Sequence, residues 1–286
     1  MIDICIRAGE QKLAASVYGD AALPPVLLLH GIGMSRDSWF DTAMELCDHY
    51  RVWTLDFRGH GHSDPAASYL IGDYAKDAKA ALEAIGRPAF VLGHSMGGVV
   101  AGTLSQAAHP LVSRVLMLDP PWYFGRPEEF ARTPFPMQFA ALRAFLTKLR
   151  KINASLNAYI DLVANTPHPK GGTIADHASA RHVLSQASGY QRMDPSCWLR
   201  DRFELFDAVD TASPFRVPTE IIRADARYGA AFLDDHADKI RTVNPDLSIT
   251  HYVGSDHFPM RSFAFEERFA ADLAQRLAAW RAVKAS

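Results

Sequence analysis

Cysteine is scarce in this chain of 286 residues: three occur, Cys5, Cys47 and Cys197, widely separated and without any Cys-x-x-Cys spacing. A disulfide framework and a thiolate metal site are thereby excluded as organising features, and the three read as small buried hydrophobes in a reducing, cytoplasmic setting. Long apolar runs are also missing. The longest, such as Pro24 to Leu29, are strand-sized, far short of the roughly 20 residues a membrane-crossing helix needs. The opening stretch, MIDICIRAGEQK, carries Asp3 early and no basic segment ahead of a long apolar one, so no signal peptide is expected. No block of like charge appears, and 30 Lys+Arg against 32 Asp+Glu give a formal net charge of -2. Neither a nucleic acid nor a membrane surface is an expected partner. Repeats and low-complexity tracts are absent as well.

What is present is an ordinary globular composition, 48% hydrophobic and 22% charged, in a length that suits one large α/β domain with an inserted subdomain. IDICIRA and KLAASVY, separated by Gly9-Glu10, read as an opening hairpin. Continuous apolar strands then alternate with helical patterns: PVLLLHG from Pro25, a helix from Ser38 to Cys47, RVWTLDFRG from Arg51, a helix from Tyr74 to Ile85 closed by Gly86, AFVLGHS from Ala89, and a helix from Met96 to Ala108. SRVLMLD, from Ser113, ends this run. Apolar strands alternating with helices imply a mostly parallel sheet covered on both faces.

The alternation stops between Trp122 and Arg216, where aromatics and helix formers dominate, with the clearest helical signal from Met137 to Ile152. This stretch is expected to be an inserted helical cap over residues 122–216, the core comprising residues 1–121 and 217–286. Strand and helix resume with VPTEIIRAD from Val217, a helix from Asp234, a strand from Leu247 and an amphipathic helix from Phe263 to Val283.

The sequence FVLGHSMGGV places Ser95 between Gly93 and Gly97, where an apolar strand gives way to a helix. A serine on so sharp a turn projects its hydroxyl above the sheet, and the glycines keep side chains out of neighbouring backbone. The same residues would also suit tight helix-strand packing with Ser95 as a simple helix cap. For nucleophilic chemistry the hydroxyl needs a base, and among 12 histidines His257 stands out, because GSDHFPM follows a short strand and precedes the last helix. His94 adjoins the nucleophile, but a tight turn would aim its ring elsewhere. His60 and His62, in RGHGHSD, suggest a metal pair, yet no third ligand is recognisable and a structural hydrogen-bonding role is the better reading.

A buried carboxylate should orient the base. Asp225, ending TEIIRAD, is the first choice, and Asp119, ending VLMLD, is the rival; both stand at carboxyl ends of expected parallel strands, where sites in open α/β sheets form. The backbone NH of Met96, at a helix start, is the first expected oxyanion donor. A second should come from HGIGMS, with Ile32 as first choice and Gly33 as the alternative.

Taken together these motifs resemble the α/β-hydrolase superfamily: His30 to Gly33 after the third strand, Asp56 to Ser63 after the fourth, Gly93 to Gly98 at the serine turn, and Gly254 to His257 near the end. The resemblance implies an α/β-hydrolase fold with an eight-stranded, mostly parallel sheet, a Ser-acid-His triad in that chain order, and a lid after the sixth strand. One departure bears on the acid: where many members carry Gly-Glu-x-Asp, this chain reads Ala224-Asp225-Ala226-Arg227. Serine at the turn, rather than aspartate, sets the chain apart from the epoxide hydrolases and haloalkane dehalogenases of that superfamily.

The function expected from this set is hydrolysis of a carboxylic ester or lactone of a small apolar or aromatic substrate through an acyl-enzyme. A carbon-carbon bond hydrolase, a cofactor-independent perhydrolase or haloperoxidase, and a ligand receptor on the same fold are the alternatives. Trp122, Tyr123, Phe139 and Trp198 are the candidate pocket residues. No metal or organic cofactor is called for, and the oligomeric state is left open.

Overall fold

The computed structural model describes residues 1–199, 203–206 and 208–283. Its eight strands are β1 (Ile2–Ala8), β2 (Gln11–Tyr18), β3 (Pro25–Leu29), β4 (Arg51–Leu55), β5 (Ala89–His94), β6 (Val112–Leu118), β7 (Thr219–Arg223) and β8 (Ser248–His251). They form one sheet in the order β1-β2-β4-β3-β5-β6-β7-β8. Pairings of β2 with β1 and β4 are antiparallel, and all the rest are parallel. The described helices are α1 (Phe40–Leu46), α2 (Ile71–Ile85), α3 (Met96–Gln106), α4 (Pro127–Ala131), α5 (Phe135–Lys151), α6 (Leu156–Ala164), α7 (Ala180–Arg192), α8 (Ser196–Leu199), α9 (Phe203–Phe206), α10 (Asp234–Arg241) and α11 (Glu266–Val283).

The unbroken apolar run of β3 has a direct cause in its two-residue period. Leu27 and Leu29 enter one core with Tyr74, Ala78 and Leu82 of α2 and Val99, Val100 and Leu104 of α3. Val26 and Leu28 point the other way, into a second core with Trp39, Ala43 and Leu46 on one side and Phe269, Leu273, Leu277 and Trp280 of α11 on the other. Side chains alternate across a strand, so one covered on both faces must be apolar at every position. β1, at the sheet edge, escapes that demand. Cys5 on it is exposed and Cys47 partly so, leaving Cys197 as the one buried cysteine; the expectation that all three are buried is corrected accordingly.

Between β6 and β7 the chain makes helices α4 to α9. Leu146, Tyr159, Val163, Val183 and Ala187 give α5, α6 and α7 a small core of their own. This insertion is pinned to the sheet's carboxyl side at several points. Arg132 pairs with Asp235 of α10 at 2.8 Å, and His168 meets Asp256 at 2.7 Å. Gly189 of α7 lies against the loop after β3: a Cβ there would stand 2.7 Å from the Gly33 carbonyl oxygen, which is why a helix tolerates glycine at that point. None of the described helices is long and apolar enough to cross a membrane.

Candidate active site

Loops leaving the carboxyl ends of β3, β5, β6 and β8 converge on one region, as the crossover geometry of a parallel sheet requires. At the end of β5, Ser95 has φ 53° and ψ -121°, a backbone state costing on the order of 1–3 kcal/mol for a residue with a side chain. Gly93 and Gly97 make the turn possible. A Cβ on Gly93 would run into the Gly97 carbonyl, and one on Gly97 into the Leu29 carbonyl of β3. Ser95 precedes α3 but makes no side-chain cap bond, so the strain is not incurred for capping.

His257 lies on the loop after β8, where its Nδ1–H donates to Asp119 Oδ2 at 2.5 Å. Asp119 is fully buried and sits just past β6 with φ 43°. Its carboxylate also accepts the backbone N–H groups of Ala231 at 2.7 Å and of Ala224 and Phe232 at 3.2 Å. The acid facing His257 is therefore Asp119 and not Asp225. Asp225 is occupied by Arg227, which donates from Nη2 at 2.6 Å and from Nε at 3.0 Å, and by the Gly254 N–H at 2.8 Å. The Arg227 hydrogen bonds hold its carboxyl far below the usual carboxylate range. Its backbone N–H donates to Ser255 at 3.0 Å, so Asp225 braces the loop that carries His257. Asp256, beside His257 in sequence, turns instead to His168 and to the Phe258 N–H at 2.7 Å.

Ser95 and His257 line the same cavity, of about 480 Å³, a size suited to a small organic ligand. No hydrogen bond joins their side chains among those described; such contacts are often long before substrate arrives and tighten in the Michaelis complex. With Nδ1 donating to Asp119, the imidazole keeps Nε2 as its acceptor. His94 lines the cavity too, its ring 4.7 Å from that of His257. Its Nε2–H donates to the His257 carbonyl at 2.9 Å, and burial holds its pKa well below the usual histidine range.

The loop after β3 completes this end of the cavity. Met34 N–H closes a turn onto the Gly31 carbonyl at 3.2 Å, with Gly33 at φ 74° in the third position, where type II turns need glycine. Ile32 lines the cavity and Gly33 does not. Met96 is the first residue of α3, so its N–H is among the four donors a helix leaves unpaired. Asp56 anchors the far side of the loop, accepting the Arg36 N–H at 2.6 Å, Arg36 Nη1 at 2.7 Å and the His62 N–H at 2.9 Å. The motif from Asp56 to Ser63 thus serves as a brace. His60 Nδ1–H donates to the Arg58 carbonyl at 3.0 Å, and His30 donates to the Gly31 carbonyl at 2.8 Å while accepting from Phe57 N–H at 3.1 Å.

The cavity wall is largely aromatic and aliphatic, with Phe135, Phe139, Leu142, Leu162 and Val163 from the helical insertion. Of the candidate pocket residues, Phe139 lines this cavity, and Trp122 and Tyr123 do not. Trp122 is buried against Phe215, 5.2 Å between rings, and Tyr123 packs on His236 at 4.7 Å. Both follow β6 directly and fill the space between the insertion and the sheet. The Trp198 side chain lies outside the described residues. Sequence reasoning missed Phe258 and Arg261, one and four residues after His257 on its loop, and both line the cavity.

Comparison with known proteins agrees with this architecture. Residues 24–153 match the family model described as the alpha/beta hydrolase fold. The chain is 33% identical over 123 residues to a serine hydrolase-like protein of Homo sapiens, an overlap of 41% of this chain and 60% of that one. It is 37% identical over 95 residues to the pimeloyl-[acyl-carrier protein] methyl ester esterase of Methylococcus capsulatus, covering 33% of this chain and 36% of that one. The matches thus span less than two thirds of either curated relative. The crystal structure of the esterase RhEst1 from Rhodococcus sp. ECU1013 superimposes with a TM-score of 0.73 at 23% identity, over 98% of this chain and 100% of that one, which is a likeness of fold. With its strand order and its strained serine turn in agreement, the chain has the α/β-hydrolase fold, and its residues 24–153 are similar to the family of that name.

Proposed function

We propose that this protein is a serine hydrolase that cleaves a carboxylic ester or lactone of a small, largely apolar substrate through an acyl-enzyme. The observation that carries the reading is the 2.5 Å bond from His257 Nδ1 to the buried Asp119, made at the cavity that His257 shares with Ser95. A carboxylate on Nδ1 fixes the tautomer in which Nε2 takes a proton and stabilises the imidazolium that results. Ser95 Oγ attacks the carbonyl, His257 Nε2 accepts its proton and returns it to the leaving alcohol, and water releases the acyl group by the reverse sequence. The N–H groups of Met96 and Ile32 bind the oxyanion, each worth ~3 kcal/mol in comparable sites. The apolar wall from Phe135 to Val163 supports an apolar acyl or alcohol portion, and the esterase names of two similar proteins support the ester bond.

The test is labelling by a fluorophosphonate probe together with turnover of nitrophenyl esters. Wild-type protein should be labelled and active, and Ser95→Ala neither, with an unchanged circular dichroism spectrum. Ester turnover that survives in folded Ser95→Ala would remove the mechanism.

A further inference from the structure

The cavity contains a cation that the acyl-transfer reading does not use. Arg261 lines it with 6% of its surface exposed. Nη1 donates to Gln186 Oε1, and the guanidinium carbon lies 3.4 Å from the centre of the Phe258 ring. Phe258 in turn packs on His94 and His257, with ring centres 4.9 and 4.8 Å apart. One aromatic ring therefore separates this guanidinium from the base.

Burying a charge costs several kcal/mol unless a counter-charge or dense hydrogen bonding offsets it. Elsewhere this molecule meets that requirement: Arg36 is buried on Asp56 at 2.7 Å and Arg58 on Asp77 at 2.6 Å. Arg261 has no ion pair among the described residues. Asp256 attracts it from a distance, but that carboxylate is already engaged by His168 and the Phe258 N–H. The remaining neighbours cannot neutralise it. Tyr190 accepts from Gln186 Nε2 at 2.6 Å, while His94 and His182 are kept neutral by burial and by the Arg261 charge itself, His182 down to about 4. Burial lowers Arg261 only to about 10, so it stays cationic at neutral pH.

We infer that Arg261 is a subsite for a carboxylate on the substrate, so that the compound cleaved is the ester or lactone of an acid that carries a second, ionised carboxyl group. Stacking on Phe258 fixes the plane of the guanidinium and Gln186 fixes one donor. The fork is thus preorganised for bidentate capture of a planar anion. The apolar wall then takes the carbon skeleton between the anion and the bond that breaks. The subsite deepens the proposed function and rests on it for the position of the scissile bond, but the anion preference itself is measurable without turnover.

The experiment is equilibrium binding of Ser95→Ala protein to the monomethyl and dimethyl esters of succinic, glutaric and adipic acids at neutral pH. For at least one acid the anionic monoester should bind about tenfold or more tightly than the neutral diester. Adding Arg261→Gln to Ser95→Ala should bring that ratio to about one. Ratios below fivefold for all three acids overturn the subsite without any substitution at Arg261, and so does a preference that persists in the double variant. Fluorophosphonate labelling of the wild type is read separately. A labelled serine with no monoester preference leaves the hydrolase standing and removes the subsite, whereas a preference with no labelling does the reverse.

Discussion

The backbone N–H of Ser95 donates to the carbonyl of Leu118, the residue before Asp119, at 2.9 Å. Two turns with positive φ, on neighbouring parallel strands, are thereby tied to each other and not merely to the sheet. This bond fixes the Ser95 turn against the turn that places Asp119 beside His257, the rigidity that the proposed acyl transfer would require, since it needs reacting groups held to a fraction of an ångström.

Asp119 and Asp225 should respond differently to the same substitution. Asp119→Asn removes the charge facing His257 and can turn an amide N–H against Nδ1, favouring the wrong tautomer, and should slow kcat by up to about 10⁴-fold. Asp225→Asn loses the charge that binds Arg227 and loosens the Gly254 loop, so it should lower the melting temperature and reduce kcat by no more than about tenfold. Steady-state kinetics with circular dichroism on both variants decides it; a greater kinetic loss in Asp225→Asn would reverse the assignment.

Relieving the strain at Ser95 should separate stability from activity. Ser95→Gly fits φ 53°, ψ -121° without a Cβ and should be more stable than Ser95→Ala by about 1 kcal/mol. Both should be inactive. Urea denaturation of the pair measures the difference.

Acid should weaken the fold by forcing buried histidines to take up a charge. Burial lowers His30 and His182 each to about 4 from about 6.5 in the unfolded chain. Between these values the unfolded state binds more protons, so the stabilisation is complete above about pH 6.5 and is lost as the pH falls towards 4. Thermal melts should therefore decline across that window. His30→Gln should show a shallower decline than the wild type, though a lower starting point; parallel slopes would contradict it.

Aromatics in the insertion should divide by role. Trp122→Ala leaves a large void at a fully buried position and should cost about 3–5 kcal/mol with little change in the ranking of ester substrates. Phe139→Ala opens the cavity wall and should raise KM for apolar esters several-fold more than for short ones. An ester panel on both variants distinguishes the two.

Local chemistry explains what was legible in the sequence. The two-residue apolar period of β3 and β5, the glycines around Ser95 and the helical spacing from Met137 to Ile152 each act over a few neighbours, and the elements formed within a few residues of expectation. The acid was not settled in this way because two aspartates end adjacent strands in equivalent positions. What separates them is non-local. Arg227 captures Asp225, while the N–H groups of Ala231 and Phe232, over 100 residues on, receive Asp119. Trp122 and Tyr123 failed as pocket residues for a related reason, since aromatic composition does not say which rings fill the seam beneath an insertion. Arg261 left a signal that went unread, a cation four residues beyond His257 in an otherwise apolar stretch.

Gly189 seats α7 directly on the backbone of Gly33 and Met34, with no side chain between as a cushion. The roof over the cavity and the loop that supplies the Ile32 N–H are in effect geared together. Displacement of α7 far enough to let a bulky molecule pass would carry the Gly33–Met34 backbone with it, so under the proposed function admission of ligand and readiness for chemistry could not be tuned independently.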